Sequence, residues 1–314
     1  MPELPEVETI RRGLEKAILH SPIAKVEVRL PKLVSIGAAT VGNIRKNSKK
    51  TSRKFAALLR NKKFRAVKRR GKILILELSG SVFLLVHLKM SGQLIYAQKS
   101  ELPKEAKIFN SPDSRREKLP HQYTHVIFTF KNGDKLFYND LRQFGYLRLV
   151  HDDEMAKVKE FAEYGPEALK KDFTPLQGSA AGFTFQYFKT QAKSRAVSVK
   201  QFLMDPKIVA GIGNIYSDEI LFRAKVKPRR KVGGLSQPEL KAVYRCIAPV
   251  LRQAVRDQGS SVGDFFKIDG SEGRYGKQHK VYGRAGQKCK KCGTIIEKIK
   301  LGGRTGSYCP KCQY

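Results

Sequence analysis

Two cysteine knuckles near the C-terminal end, Cys289-x-x-Cys292 and Cys309-x-x-Cys312, constrain this chain more than any other feature; sixteen residues separate them. Two such pairs at that interval are the spacing of a four-thiolate tetrahedral site for one structural Zn2+, closed, with no position open for chemistry. A redox dithiol is the competing reading, and the doubled motif disfavours it. Between the knuckles, Thr294 to Leu301 reads as one strand, Gly302-Gly-Arg-Thr-Gly306 as a turn, and Ser307-Tyr308 as the start of the return. Residues 281–314 are thus expected to form a zinc-pinned hairpin with Arg304 at its tip. Thiols kept for a metal imply a reducing compartment, hence a cytoplasmic location. The fifth cysteine, Cys246, stands in a helical run (Pro238 to Arg256) and reads as a core residue.

Charge narrows the partner. Lys and Arg number 62 against 28 Asp and Glu, a net charge of +34. Such a surplus calls for a polyanion, either nucleic acid or an anionic membrane. The most apolar run, Val82 to Leu88, is far too short to span a bilayer and contains His87. Residues 1–20 are charged throughout and carry no secretory signal. The expected partner is therefore nucleic acid, with no membrane. Residues 45–72 hold fourteen Lys and Arg and no acid; by default such a run is a solvated loop.

A chain of 314 residues can build two domains. Val26 to Leu30 alternates like a strand. Phe64 to Lys68 and Ile73 to Leu78 bracket Arg69-Arg-Gly71, which predicts a hairpin with a basic tip. Ser81 to Leu88 and Thr124 to Phe130 add strands, and Asn132-Gly133 turns the chain into Lys135 to Tyr138. Residues 1–150 are expected to form a β-sandwich or barrel. Segments 36–53 and 98–118 are polar or basic and weakly patterned, and are expected as surface loops. The charged stretch 151–165 reads as a hinge. Residues 166–280 turn helical: Phe183 to Lys193, Ser198 to Asp205, and two helices joined at Gly211-Ile-Gly-Asn214. That glycine turn would aim the following helix N-terminus at an anion. The fold class is α+β.

Pro2-Glu3-Leu4-Pro5-Glu6 opens the chain. Once Met1 is removed, Pro2 carries a secondary amine, a nucleophile able to form an iminium with a sugar carbon. Glu3 and Glu6 stand ready to move protons. Pro and Glu at this place also simply open a helix, and Val7 to Leu19 has helical spacing. The longer string, Met1-Pro-Glu-Leu-Pro-Glu-Val-Glu-Thr-Ile-Arg-Arg-Gly-Leu14, resembles the N-terminus of the formamidopyrimidine-DNA glycosylases.

Further segments resemble the same family in the same order: Arg69 to Leu78, His87-Leu-Lys-Met-Ser-Gly92, Asn139-Asp-Leu-Arg-Gln-Phe-Gly145, Lys200-Gln-Phe-Leu-Met-Asp-Pro206 with the glycine turn, Gly259 to Phe266, and Val281-Tyr-Gly-Arg-x-Gly286 with Tyr308-Cys-Pro-x-Cys-Gln313. Segments 36–53 and 98–118 exceed the family's usual length. The resemblance implies an N-terminal β-sandwich with flanking helices, a helical helix-two-turn-helix domain, and a zinc finger, acting as a monomer on damaged double-stranded DNA held between the domains. It implies excision of oxidised purines such as 8-oxoguanine, then strand cleavage by elimination. Pro2 would be the nucleophile, Glu3 the proton donor, and Glu6 a support. Lys72, His87, Asn214 and Arg304 would hold phosphates around the lesion, with Lys200 nearby. Met90, Arg142 and Phe144 would fill the gap left by the extruded base, and Lys267 to Lys277 would cap the lesion. The family often has Thr or Ser where Gly306 stands.

Two rivals remain. An endonuclease VIII-like enzyme for oxidised pyrimidines usually has Gly where this chain has Leu4, and Arg142 and Phe144 favour the purine type. A non-catalytic zinc-ribbon nucleic-acid binder would fit the charge and the cysteines but not Pro2, Glu3 and the order of the loops.

Overall fold

The computed structural model describes residues 1–19, 21–38, 48–107, 116–169, 182–193, 195–261, 263 and 265–314. It divides into two compact units: Met1–Pro2, Glu6–Ala162 and Gln258–Gly273 in the first, and Glu3–Pro5, Glu163–Asp257 and Arg274–Tyr314 in the second. The boundary between Ala162 and Glu163 falls inside the stretch 151–165, whose described structure is a six-residue 3-10 turn from Asp152 and then α3 (Lys159–Glu163). Glu160 fixes it to the first unit by accepting from Tyr146 and from the fully buried Arg148.

In the first unit, α1 (Leu4–Ala17) turns Val7, Ile10 and Leu14 onto one buried face. Eleven described strands follow in this unit: β1 (Ile23–Val28), β2 (Val34–Ile36), β3 (Phe64–Arg70), β4 (Ile73–Leu78), β5 (Val82–His87), β6 (Gly92–Ala97), β7 (Glu105–Lys107), β8 (Arg116–Lys118), β9 (Thr124–Phe130), β10 (Lys135–Asp140) and β11 (Tyr146–His151). Nine of them form a four-stranded sheet, β1-β9-β10-β6, and a five-stranded sheet, β2-β11-β5-β4-β3. Inward residues of both sheets, among them Phe128 and Leu136 from one and Leu76, Leu84 and Leu147 from the other, share one core with α1. This is the expected sandwich, and its sheets are not closed into a barrel.

Three expectations change here. The basic run is not a plain loop: Lys49–Leu59 is a helix, α2, capped by Ser48, with Phe55 and Leu59 fully buried beneath its cationic side. Residues 39–47 of the first weakly patterned segment lie outside the described residues. In the second segment β7 and β8 pair as a hairpin, whose connection, 108–115, lies outside them too. The hairpin tip at Arg69-Arg-Gly71 is not an exposed basic point, since β3 runs on through Arg70 and both arginines are buried. Arg69 meets the buried carboxylate of Glu8 at 3.2 Å and donates to the Gly71 carbonyl at 2.8 Å.

The second unit packs α4 (Phe185–Ala192), α5 (Val199–Met204), α6 (Asn214–Ala224) and α7 (Gln237–Arg256) around Phe188, Phe202, Ile220, Val243 and Ile247. Leu4 belongs to this core. Its N–H donates to the Gly211 carbonyl at 3.0 Å, and a Cβ on Gly211 (φ +104°) would lie 2.7 Å from the Leu4 side chain. The turn needs glycine for both space and dihedral. The last element is the hairpin of β12 (Glu297–Leu301) and β13 (Arg304–Tyr308). Its turn is only Gly302-Gly303, at φ +52° and +74°, shorter than the expected five residues and of the kind that follows strand twist. The strand starts late because the Thr294 carbonyl is taken by the Cys289 N–H and the Ile296 N–H by Gln287.

Candidate functional site

Strand register gathers the first set of site residues. His87 ends β5 and pairs with Ile73, which opens β4, and with Tyr146, which opens β11. Gly92, which opens β6, pairs with Asp140, which ends β10. The turn carrying Lys72, the loop carrying Met90 and the loop carrying Arg142 and Phe144 therefore leave the sheets at strand ends fixed by these pairs. His87 is buried, and its Nδ1 accepts from the Lys89 N–H at 3.0 Å. Burial, then the charges of Lys89 and Lys72, hold its pKa well below 6.5. The imidazole is neutral at pH 7, with its proton on Nε2, and offers one donor. Arg142 is exposed, donates to the Met90 sulfur at 3.4 Å, and lies 5.3 Å from the centre of the Phe144 ring. Phe144 is 43% exposed, an unusual state for a Phe on an otherwise well-buried sandwich. The three residues expected to fill a vacated base position are thus neighbours.

What holds this loop was not read from the sequence. Asp140 is fully buried and accepts from Ser91 Oγ at 2.5 Å, Gly145 N–H at 2.8 Å and Tyr138 OH at 3.3 Å. Ser91 Oγ in turn accepts from the Arg142 N–H at 2.9 Å. One carboxylate therefore ties the Met90 loop to the Arg142 loop. Gly145 has no alternative, since a Cβ there would fall 1.9 Å from the Tyr138 hydroxyl. The only sequence signal was Asp140 lying inside the Asn139–Gly145 motif.

The opening residues are buried: Pro2 with its neighbours Glu3, 1% exposed, and Glu6, fully buried. In the second unit Glu3 sits on the N-terminus of α6, accepting from Gly213 N–H at 2.7 Å, Ile215 N–H at 2.8 Å and Tyr216 N–H at 3.4 Å. The glycine turn does present N–H groups to an anion, and the anion is the chain's own carboxylate. In the first unit Glu6 accepts from the Ser260 N–H at 2.8 Å. The segment expected to cap a lesion begins here, with the Ile268 carbonyl bound to the Tyr96 N–H at 2.8 Å and Tyr275–Gln278 forming a 3-10 turn.

The metal centre fits zinc. Zn–S bonds of about 2.3 Å at tetrahedral angles put sulfurs about 3.8 Å apart. The four Sγ atoms of Cys289, Cys292, Cys309 and Cys312 lie within 4.8 Å of one another, with Cys292–Cys309 at 3.5 Å and Cys289–Cys312 at 4.0 Å. Backbone N–H groups of Lys291 and Cys312 point at the Cys289 and Cys309 sulfurs, 3.4 Å each. The set is four thiolates with none to spare, a structural site.

The hairpin that zinc pins is also laced to α6. Asn214 donates Nδ2 to the Thr305 carbonyl at 2.7 Å. Asp218 accepts from the Ser307 N–H at 2.9 Å through one oxygen and from Lys200 Nζ at 2.5 Å through the other. Lys200 was expected near a bound lesion. Its side chain is fully buried, and its ammonium is satisfied by Asp218, Ser217 Oγ at 3.1 Å and the Asn214 carbonyl at 3.3 Å. It presents no charge to the surface. This network also explains Gly306: a Cβ would lie 3.0 Å from Asp218 Oδ1 and 3.1 Å from Lys200 Nζ. Arg304, two residues earlier, is exposed at the hairpin tip.

The basic and aromatic loops of the sandwich, and a helix–turn–helix laced to a zinc hairpin with a projecting arginine, define a zinc-finger protein of the DNA-repair glycosylase class. The chain matches the formamidopyrimidine-DNA glycosylase N-terminal domain over residues 1–147, that enzyme's H2TH domain over 165–265, and a zinc finger found in FPG and IleRS over 286–313. It is 36% identical over 313 residues to the formamidopyrimidine-DNA glycosylase of Pelotomaculum thermopropionicum, covering 100% of this chain and 99% of that one. The enzyme of that name from Streptococcus pneumoniae is also 36% identical, with the same coverage. Among solved structures it is similar to Lactococcus lactis Fpg bound to DNA with an abasic site (TM-score 0.79, 29% identity, 99% of both chains) and to the same enzyme with Fapy-dG DNA (TM-score 0.77, 31% identity, 99% of both). The chain belongs to the formamidopyrimidine-DNA glycosylase family and is a zinc-finger DNA glycosylase of base excision repair. The match over residues 1–147 leaves a bare zinc-ribbon binder without support. Among the described residues no helix is long and apolar enough to cross a membrane.

Proposed function

We propose that this glycosylase excises oxidised purines from duplex DNA as a cytoplasmic monomer and then cleaves the strand through a Schiff base on Pro2. The observation that carries the reading is Glu3, held by three backbone N–H groups directly beside Pro2. A carboxyl fixed next to a terminal amine is what iminium chemistry on a sugar requires. Removal of Met1 frees the Pro2 nitrogen. It attacks the sugar carbon that bears the base, that carbon–base bond breaks with its electron pair leaving on the base, which takes a proton from water, and Glu3 carries the proton given up by the amine to the ring oxygen so that the sugar opens to an iminium. Glu3 then takes part in the proton transfers of elimination, which expels the 3′ phosphate, and water releases Pro2. Lys72, the neutral His87, Asn214 and Arg304 hold phosphates, while Met90, Arg142 and Phe144 occupy the vacated stack. Zinc supplies folding energy to the Arg304 hairpin and takes no step.

Purines are favoured over pyrimidines by Arg142 and Phe144, and by Leu4 where the endonuclease VIII type usually has Gly. The test is borohydride trapping of mature protein on a duplex with 8-oxoguanine opposite cytosine, beside one with an oxidised pyrimidine. A covalent adduct is expected, stronger with the purine, and lost in Pro2→Gly or when Met1 is retained. Undiminished trapping with Met1 in place would remove the terminal amine from the mechanism and implicate Lys72. Preferential trapping on the pyrimidine would reassign the lesion. A L. lactis relative has itself been solved with oxidised-pyrimidine DNA, which makes that arm informative.

A further inference from the structure

Helix α2 is built against its own electrostatics. Ser48 caps it, accepting from the Thr51 N–H at 3.3 Å, and Phe55 and Leu59 anchor its inner face. Its first two turns, however, hold Lys49, Lys50, Arg53 and Lys54 and no acid. Lys49 with Arg53 and Lys50 with Lys54 are like charges four residues apart, which repel. Lys49 and Lys50 also stand at the positive end of the helix dipole, where cations are unfavourable. All four are exposed, as are Arg60, Lys63 and Arg65 just beyond, and the sequence places no acid between residues 45 and 72. Among the described residues none of the seven is ion-paired. A local conflict of this kind, kept on a well-packed helix, points to a function that needs the charge.

Position narrows the partner. Helix α2 packs on β1 and β2, and β2 is the edge strand two places from β5, which carries His87. Strands lie about 4.8 Å apart, so the helix stands roughly 10–15 Å to the side of the strand bearing His87. That is less than half of a B-DNA turn of about 34 Å. We propose that α2, with Arg60, Lys63 and Arg65, is a second phosphate-binding surface that grips the duplex flanking the lesion through backbone charge alone. The proposal rests on the glycosylase reading for the identity of the DNA, not for its chemistry.

Two variants test it. Lys49→Glu with Lys50→Glu should favour the helix, since acids suit its first turn. A fourfold change of Lys49, Lys50, Arg53 and Lys54 to Gln keeps good helix formers. Binding is measured to a lesion duplex of about 30 base pairs, three helical turns, across a salt series, and borohydride trapping is measured at saturating DNA. Both variants should melt no lower than wild type and lose affinity for the duplex by tenfold or more. The fourfold variant should flatten the log–log salt slope by about 3–4, near 0.9 for each phosphate no longer neutralised. Trapping at saturating DNA should be unchanged. Unchanged affinity and slope would overturn the proposal, as would a loss of trapping at saturating DNA, which would put these cations at the lesion. A wild-type protein that binds but does not trap would defeat the Schiff-base reading and leave the binding comparison decisive for α2.

Discussion

Lys200→Met is the most searching single change in the second unit. It removes an ammonium whose side chain, like that of its partner Asp218, is fully buried. Burial pushes the Asp218 carboxyl up to about 6, against the pull of Lys200 and the Ser307 N–H. Without Lys200 the carboxylate keeps the desolvation and loses its cation. Breaking one half of a buried pair costs ~3–5 kcal/mol, a large share of the ~5–15 kcal/mol that holds a domain folded. Asp218 relieves the cost by binding a proton or by letting go of Ser307, and β13 then loosens where it carries Arg304. Expected outcomes are a lower melting temperature, faster zinc loss to a chelator, and at least tenfold weaker lesion binding. The double change Lys200→Met with Asp218→Leu removes both charges and should be less destabilised than Lys200→Met alone. It should still bind poorly, because Ser307 has no acceptor. Gly306→Ala, crowding both members of the pair, should reproduce the single change at ~1–3 kcal/mol. A Lys200→Met protein with wild-type melting and affinity would refute the reasoning, and weakened affinity with melting and zinc retention intact would return Lys200 to the DNA.

Three further outcomes follow from the geometry. The His87 imidazole should show no titration by NMR between pH 8 and 6; because the unfolded chain takes a proton below ~6.5 that the folded chain refuses, stability should fall as pH drops through that value, and a midpoint near 6.5 would contradict the buried neutral ring. Cys309→Ser should release the metal and abolish lesion binding while circular dichroism of the sandwich persists; global unfolding would show that zinc supports more than its hairpin. In single-turnover excision, Phe144→Ala should slow cleavage whatever base lies opposite, by the ~1–3 kcal/mol of a missing stack, whereas Arg142→Ala should slow it mainly opposite cytosine, whose acceptors suit a guanidinium. Equal losses opposite all four bases for Arg142→Ala would leave it only a phosphate-binding role.

What the sequence disclosed was carried by short-range pattern. The zinc site was legible because its four ligands come as two local pairs, and the strands around His87 because alternation and turn residues act over a few positions. Helix α2 was hidden because fourteen cations between residues 45 and 72 read as solvated chain; the signal was present in Ser48, Phe55 and Leu59, an N-cap and two core positions at helical spacing. The ion pairs were hidden for another reason. Glu8 and Arg69 are 61 residues apart, and Asp218 reaches Ser307 across 89. No periodicity marks a partner at that distance, so the burial of Arg69 and Arg70 in the basic hairpin and the pairing of Lys200 with Asp218 were not legible.

The glycine turn before α6 shows how a correct physical reading can still leave its object open. Gly211 and Gly213 were read as shaping a helix N-terminus that faces an anion, and the N–H groups do face one, the Glu3 carboxylate 210 residues from Gly213. The helix end is indifferent to the source of the charge. Glu3 takes the N–H groups of Gly213, Ile215 and Tyr216, so a phosphate cannot use those three donors without displacing it. The Asn214 side chain is a separate donor beside them, and its Nδ2 already gives one hydrogen to the Thr305 carbonyl at 2.7 Å. An amide nitrogen carries two hydrogens. On the role proposed for Asn214, the second would go to a phosphate, and one amide would then join that contact to the Arg304 hairpin that zinc folds.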